Sequence, residues 1–99
     1  MSGAWVYFVE CRDGSFYTGL TKQDDAEARV WEHNNGVYQD SYTSFRLPVK
    51  LVYAEHFELV SDAITAERRT KGWSRAKKIA MMQGNWQEVQ KLSKRRGGD

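Results

Sequence analysis

The sequence has little cysteine and no long apolar run. Its single cysteine, Cys11, cannot form an internal disulfide, so a reducing, cytoplasmic setting is expected. No stretch approaches the roughly 18 consecutive apolar residues of a membrane span. Residues 1–4 do not have the pattern of a signal peptide. These absences predict a cytoplasmic protein that does not enter a membrane.

Acidic residues are missing from one long stretch of the second half. No Asp or Glu lies between Glu67 and Glu88, and residues 68–99 carry ten basic and two acidic residues, against five and eleven in residues 1–67. A one-sided basic field favours a polyanionic partner such as nucleic acid, although solvated helix surface is the other interpretation. The candidate contacts are Arg68, Arg69, Lys71, Arg75, Lys77 and Lys78.

What the sequence does contain is enough apolar and aromatic residues for one small core. The apolar fraction is 40%, with four Trp, five Tyr and four Phe among 99 residues. A chain of this length has room for a single domain. We therefore predict one domain over 1–99, with its core over about 4–94 and a tail over 95–99.

Hydrophobic periodicity predicts an alternation of short strands and helices. Strands are predicted over 5–11, 15–20 and 49–57, and helices over 25–35, 61–71, 75–83 and 86–95. The candidate helix caps are Asp24 or Asp25, Ser61 with Asp62, Ser74 and Asn85. Between the first helix and the third strand, the loop 37–48 carries aromatic residues and Arg46, which can either stack on nucleic acid or hold the loop against the core.

The turn between the first two strands decides where Tyr7 and Tyr17 point. A two-residue Asp-Gly loop would place the two phenols on opposite faces of the sheet. A three-residue loop, with Gly14 in the left-handed conformation, places both on one face and sets Tyr7 opposite Gly19. We favour the longer loop, because it also gathers apolar side chains on the other face. Gly19 is then expected to leave space over the Tyr7 ring for a ligand.

Three charged or titratable side chains on the helices are candidates for chemistry. Arg29 and His33 are four residues apart, so they share one face of the first helix. Glu67 points toward the buried side of the second helix, where a carboxylate needs a metal, an arginine or several donors as partner. The plainer interpretations are an ion pair between Arg29 and Glu67, and a His33 that stabilises the helix dipole.

The order of these residues resembles the GIY-YIG nuclease superfamily, in particular its small single-domain bacterial members. The resemblance covers roughly 4–94 and is carried by Trp5-Val6-Tyr7, Tyr17-Thr18-Gly19, Arg29, His33 and, within AERRTKGWSRAKK, Glu67. The chain departs from the family pattern at Trp5, which replaces a glycine, at Thr18, which replaces an aliphatic residue, and at Leu20, where some nucleases have a lysine.

The resemblance implies an α+β fold, with a small three-stranded antiparallel sheet flanked by helices. It implies metal-dependent hydrolysis of DNA phosphodiester bonds, in repair or recombination, by a protein expected to be a monomer. In that scheme Glu67 binds one divalent ion, Mg²⁺ or Mn²⁺, and Arg29 holds the scissile phosphate. Tyr7 and Tyr17 position or deprotonate the attacking water. DNA is the implied partner, with RNA as the other nucleic acid considered.

The sequence leaves the base and the activity open. A free tyrosine, with a pKa of about 10, is a poor base at neutral pH unless nearby cations lower that value, whereas His33, with a reference pKa of about 6.5, needs no such shift. The alternative functions are a nucleic-acid-binding module of the same fold with little or no cleavage, and a protein-interaction domain whose basic helices meet an acidic partner.

Overall fold

The sheet and its helices follow the predicted order along the chain. The computed structural model describes residues 3–22, 25–37 and 42–97, with side chains as far as residue 93. The sheet contains β1 (Ala4–Glu10), β2 (Phe16–Thr21) and β3 (Lys50–Phe57), antiparallel and in the order β2-β1-β3. The helices are α1 (Ala26–Asn34), α2 (Val60–Lys71), α3 (Arg75–Met82) and α4 (Trp86–Gly97), with a short 3₁₀-helix at Tyr42–Phe45. The α+β prediction is confirmed.

The β1–β2 hairpin has the register expected from a three-residue loop. Tyr7 lies opposite Gly19 and Val9 lies opposite Tyr17. Gly14 has a φ of 86°, the left-handed conformation that a residue with a side chain adopts only with strain. Both tyrosines therefore project from the same face of the sheet, as predicted.

The two faces of the sheet are covered by different helices. On the tyrosine face, Tyr7 and Val9 pack with Val30 of α1. On the opposite face, Val6 packs with Ala63 of α2. Each strand alternates its side chains between the two faces, so residues adjacent in sequence belong to different halves of the core.

Three of the four predicted helix caps are present. Asp25 accepts a hydrogen bond from the Ala28 amide, and Ser74 and Asn85 begin α3 and α4 in the same way. The cap predicted at Ser61 is wrong. The helix α2 begins one residue earlier, after Leu59, and its first amides donate to the Leu59 carbonyl instead of to a side chain.

The later helices differ from the predicted pattern in two respects. Val89 is buried, but Trp86 is 56% exposed and Ile64 is 38% exposed, although large apolar side chains at helical spacing are expected to face inward. Since α4 packs mainly on α3 and not on the sheet, its first residue extends past the core. The helix also continues to Gly97, into the predicted tail, whose last two residues lie outside the described part. None of the described helices is both long and apolar enough to cross a bilayer.

A side-chain bridge fixes the end of α1 to the start of β3. The Asn34 amide donates to the Val49 carbonyl at 3.0 Å, and its oxygen accepts from the Val49 amide at 2.8 Å. The Asn34 side chain therefore forms with the Val49 backbone the pair of hydrogen bonds that a neighbouring strand would form in a sheet. This bridge holds α1 over the tyrosine face, which is where Arg29 and His33 are needed.

Candidate active site

The ring of Tyr7 lies directly against Gly19. Tyr7 is 1% exposed, and a Cβ added at Gly19 would lie 2.4 Å from both its Cζ and its hydroxyl oxygen. The expectation that Gly19 leaves room for a ligand is therefore wrong, because the Tyr7 ring itself fills that space. Gly19 is required so that the phenol can reach α1.

The hydroxyl of Tyr7 contacts the buried imidazole of His33. The Tyr7 oxygen is 3.3 Å from His33 Nε2, and the Thr43 hydroxyl is 2.7 Å from His33 Nδ1. Both ring nitrogens are thus engaged, which fixes the orientation of the ring. Thr43 was missed by the sequence analysis, because it lies in the irregular 37–48 segment, where no periodicity marks an inward residue.

The environment of His33 favours its neutral form. Burial, followed by the nearby Arg29 guanidinium, lowers the pKa of His33 below its ordinary value of 6.5, and the weaker effect of Glu32 opposes this. The imidazole is therefore uncharged at pH 7 and can accept a proton. An uncharged ring does not stabilise the helix dipole, so the plainer interpretation of His33 does not account for its position.

Tyr17 stands on the other side of His33 and faces open space. Its ring meets the His33 ring edge-on, with centroids 5.9 Å apart, and stacks on Tyr42 at the same centroid distance. Tyr17 also lines an open cavity of about 360 Å³. Its hydroxyl forms no hydrogen bond with any residue in the described ranges, so it is available to water or to a phosphate oxygen.

Tyr42 is held in place by Arg46. The Arg46 guanidinium lies 3.9 Å from the centre of the Tyr42 ring, donates to the Tyr42 carbonyl at 2.7 Å and to Asp13 at 3.1 Å. Of the two interpretations of the loop aromatics, Tyr42 fits the one in which they hold the loop against the core. The guanidinium of Arg46, a candidate nucleic-acid contact, is engaged within the protein.

Glu67 lies on α2, the helix that packs on the opposite face of the sheet. Its side chain is 18% exposed, and its carboxylate lies 3.5 Å from the Lys71 ammonium. Lys71 lines the cavity beside Tyr17. Among the described residues Glu67 pairs with Lys71 and not with Arg29, so the simple ion pair considered from the sequence is not formed. The structure thus brings Tyr7, Tyr17, His33 and Arg29 together on one face, whereas Glu67 lies on α2 and is linked to the cavity beside Tyr17 only through its pairing with Lys71.

The remaining basic candidates divide into inward and outward residues. Lys78 lines the cavity with Lys71, whereas Arg69 and Lys77 line a separate one of about 200 Å³. Arg75 donates to the Gly14 carbonyl, and its guanidinium lies 4.5 Å from the centre of the Phe16 ring. Arg68 is exposed. Several of these cations therefore contact other residues of the protein and hold α3 against the sheet. Those contacts leave them less available to a partner.

The sequence matches the family model of the GIY-YIG catalytic domain over residues 3–80. The chain belongs to the GIY-YIG family. It is 44% identical over 82 residues to a UPF0213 protein of Staphylococcus saprophyticus and 45% identical over 83 residues to one of Staphylococcus epidermidis, alignments that cover 83% and 84% of this chain and 96% and 98% of theirs. The UPF0213 proteins are a small group of GIY-YIG proteins.

Solved structures of GIY-YIG relatives have the same fold. The solution NMR structure of the UPF0213 protein BH0048 from Bacillus halodurans is 36% identical, with a TM-score of 0.52, over 82% of this chain and 83% of that one. The solution NMR structure of the protein EF2693 from E. faecalis is 34% identical, with a TM-score of 0.57, over 85% and 86% of the two chains. The fold is therefore that of a nuclease family, which suggests nucleic acid as the substrate.

The donors available to a metal ion are few. GIY-YIG nucleases generally use a divalent metal. Within residues 3–22, 25–37 and 42–97, no three His, Cys, Asp or Glu side chains lie together as a ligand group. The single carboxylate of Glu67 fits a magnesium ion that takes its other ligands from water and phosphate oxygens. Lys71, which already pairs with that carboxylate, competes with such an ion.

Proposed function

We propose that this GIY-YIG protein is an endonuclease that hydrolyses DNA phosphodiester bonds with one divalent ion, Mg²⁺ or Mn²⁺. The observation that carries the proposal is the neutral, buried His33, which stands beside Arg29 and between Tyr7 and Tyr17, the second of which lines an open cavity. Damaged or branched DNA, in repair or recombination, is the substrate class that the family resemblance implies.

In the proposed reaction, each side chain on the tyrosine face has a separate role. Arg29 carries a permanent charge on a planar fork, which suits two oxygens of a phosphate. The open hydroxyl of Tyr17 orients the attacking water. The buried Tyr7 hydroxyl contacts His33 Nε2 and the Thr43 hydroxyl contacts Nδ1, so neither ring nitrogen is open to the attacking water. His33 therefore acts as the proton acceptor through a hydroxyl that already contacts its ring: Tyr7 would give its proton to Nε2 and take one from the water in return.

Glu67 provides the position for the ion. When bound there, a divalent ion neutralises charge on the phosphoryl and leaving oxygens. Lys71 is 62% exposed, so it can move away from the Glu67 carboxylate toward a phosphate without disturbing the core. Glu67 and Lys71, which lie one helical turn apart on α2, then both act on the same substrate.

Three substitutions test the proposal in a plasmid-nicking assay with Mg²⁺ or Mn²⁺. Glu67→Gln and Tyr17→Phe are each expected to reduce cleavage by roughly a hundredfold or more, since each removes a group that acts on the reacting atoms. Tyr53→Phe is the control, because its hydroxyl donates to Glu55 on the opposite face. If both test variants cleave like the original protein, the nuclease belongs to a contaminant and the proposal fails. A comparison of linear and branched DNA tests the substrate class.

The second candidate is a nucleic-acid-binding module that does not cleave. The observation in its favour is that Lys71 already pairs with Glu67, the carboxylate that the described residues offer to a metal ion. This function predicts duplex binding that weakens steeply with salt, through counterion release, and no nicking with either metal. Absent or salt-insensitive DNA binding would instead favour a protein-interaction domain.

A further inference from the structure

The cavity beside Tyr17 also has two lining residues, Thr18 and Lys78, that the cleavage reaction does not use. It lies at β2, an edge strand of the sheet, and measures about 360 Å³. Its lining residues are Phe16, Tyr17, Thr18, Tyr42, Lys71 and Lys78. The lining thus combines aromatic rings, two of them phenols, with two ammonium groups and the aliphatic hydroxyl of Thr18.

The hydroxyl of Thr18 is buried without a partner. Thr18 is 2% exposed, and its Oγ1 has no hydrogen-bond partner in the described part of the chain. Buried polar atoms are nearly always paired, because losing water without a replacement is unfavourable. A valine would fill the same volume without that penalty. The hydroxyl is therefore best explained by a ligand that enters the cavity.

Lys78 is a buried cation in the same lining. It is 6% exposed, and its ammonium lies 5.6 Å from the centre of the Phe8 ring. It forms no ion pair with the carboxylates of the described residues. Burial lowers the pKa of Lys78 below its ordinary value, which reflects the same missing partner. Buried charges in proteins are normally paired, so this ammonium is placed for an anion.

We propose that Thr18, Lys71 and Lys78 form a subsite for a phosphate of the nucleic-acid backbone, distinct from the scissile phosphate beside Arg29. Two ammonium groups and a hydroxyl can together donate to several oxygens of one tetrahedral anion. The identity of the ligand as nucleic acid rests on the proposed function. The subsite places the strand along β2, so that the adjoining phosphate reaches Tyr17.

Other ligand classes fit this cavity poorly. A metal ion would be repelled by two lysines, and the cavity offers no carboxylate among its lining residues. An apolar ligand would leave the Lys78 ammonium and the Thr18 hydroxyl unpaired.

The first experiment titrates the protein with inorganic phosphate in place of chloride at constant ionic strength, followed by amide NMR. Saturable shifts are expected at residues 16–18 and 78. They should be lost in Lys78→Met, which keeps the packing on Phe8, and weakened at least threefold in Thr18→Val, which keeps the side-chain volume. Lys50→Met, an exposed charge on β3, is the matched control. No saturable shift, or the same shifts in both test variants, would overturn the subsite.

The second experiment measures duplex DNA binding against salt without divalent ions. Lys78→Met should reduce the slope of log K against log salt by about 0.9, the value for one lost phosphate contact. Thr18→Val should weaken binding about threefold at an unchanged slope, since no charge is lost. If phosphate saturates the site but neither variant changes duplex binding, the ligand is a free phosphate and the nucleic-acid assignment is wrong. Failure of the proposed function appears separately, as no nicking by the original protein.

Discussion

At the scale of single residues, Gly19 decides where the phenol of Tyr7 lies. The ring occupies the position that a side chain at residue 19 would need, and its hydroxyl reaches His33 only from there. The glycine of the second family motif thus has a steric role in this chain. It sets the distance between a strand side chain and a helix side chain across the tyrosine face.

Substitution of Gly19 by alanine tests this role. A methyl group 2.4 Å from the ring must displace Tyr7, so the free energy of unfolding should fall by about 1–3 kcal/mol. The His33 contact should be lost at the same time. Denaturant unfolding measures the first effect, and the His33 ring resonances report the second.

Gly72→Ala is the matched control for that substitution. Gly72 has no atom within 4 Å of an added Cβ and a φ of −88°. Its stability should change by less than about 0.5 kcal/mol, or rise slightly as the unfolded chain loses freedom. Equal stability of the two variants would show that the contact between Gly19 and Tyr7 is not tight.

The local sequence pattern predicted the positions of the site residues only where the residues in contact lie close in sequence. The register that unites Tyr7 and Tyr17 follows from one turn and from strand alternation, so it could be predicted. The contact of Thr43 with His33 joins a helix to an irregular loop; helical spacing marks His33, but no periodic signal marks Thr43. Likewise, the sequence gives the charge of Lys78 but not its inward direction, which depends on the Phe8 ring from another element.

At the scale of elements, the helices begin in two different ways. The helix α3 begins at Ser74, whose side chain accepts from the Lys77 amide, whereas α2 begins at Leu59 with no side-chain cap. Only two residues separate β3 from α2. The short connection fixes the first turn through the strand end, so α2 needs no side-chain cap.

Substitution of Ser74 and of Ser61 by alanine distinguishes a helix that begins with a side-chain cap from one that begins without it. Ser74→Ala should reduce the free energy of unfolding by roughly 0.5–2 kcal/mol, because it removes the acceptor for the Lys77 amide. Ser61→Ala should change it by less than about 0.5 kcal/mol, although the sequence pattern marks Ser61 as a cap. Thermal unfolding of both variants provides the measurement. A larger loss for Ser61→Ala would reverse the assignment.

At the scale of the whole molecule, the basic second half is less available than its charge suggests. Arg75 lies against Phe16, Lys77 lies 4.3 Å from the centre of the Trp73 ring, and Lys78 is buried. A count of charges predicts a field but not which charges face outward. The family motifs predicted the fold because their order fixes the elements, whereas the approach of Glu67 from the other face depends on packing across the sheet.

Substitution of two arginines, Arg68 and Arg46, distinguishes an exposed charge from one that is engaged within the protein. Arg68→Gln removes an exposed cation of α2, so it should reduce the salt slope of duplex binding by about 0.9 with little change in stability. Arg46→Gln should leave that slope unchanged but lower stability by about 0.5–1 kcal/mol, through lost contacts with Tyr42 and Asp13. If Arg46→Gln reduced the slope as much as Arg68→Gln, the internal role of Arg46 would be wrong.

The strand order β2-β1-β3 has a mechanical consequence for the two tyrosines. Tyr7 stands on the central strand, where hydrogen-bond ladders on both sides hold its backbone. Tyr17 stands on an edge strand, which has a ladder on one side only and opens more readily in local fluctuations. The backbone of the site is therefore more rigid beside the His33 imidazole, at Tyr7, and more mobile beside the cavity, at Tyr17. In the proposed mechanism, Tyr17 can therefore adjust to the substrate while the His33 imidazole stays in place.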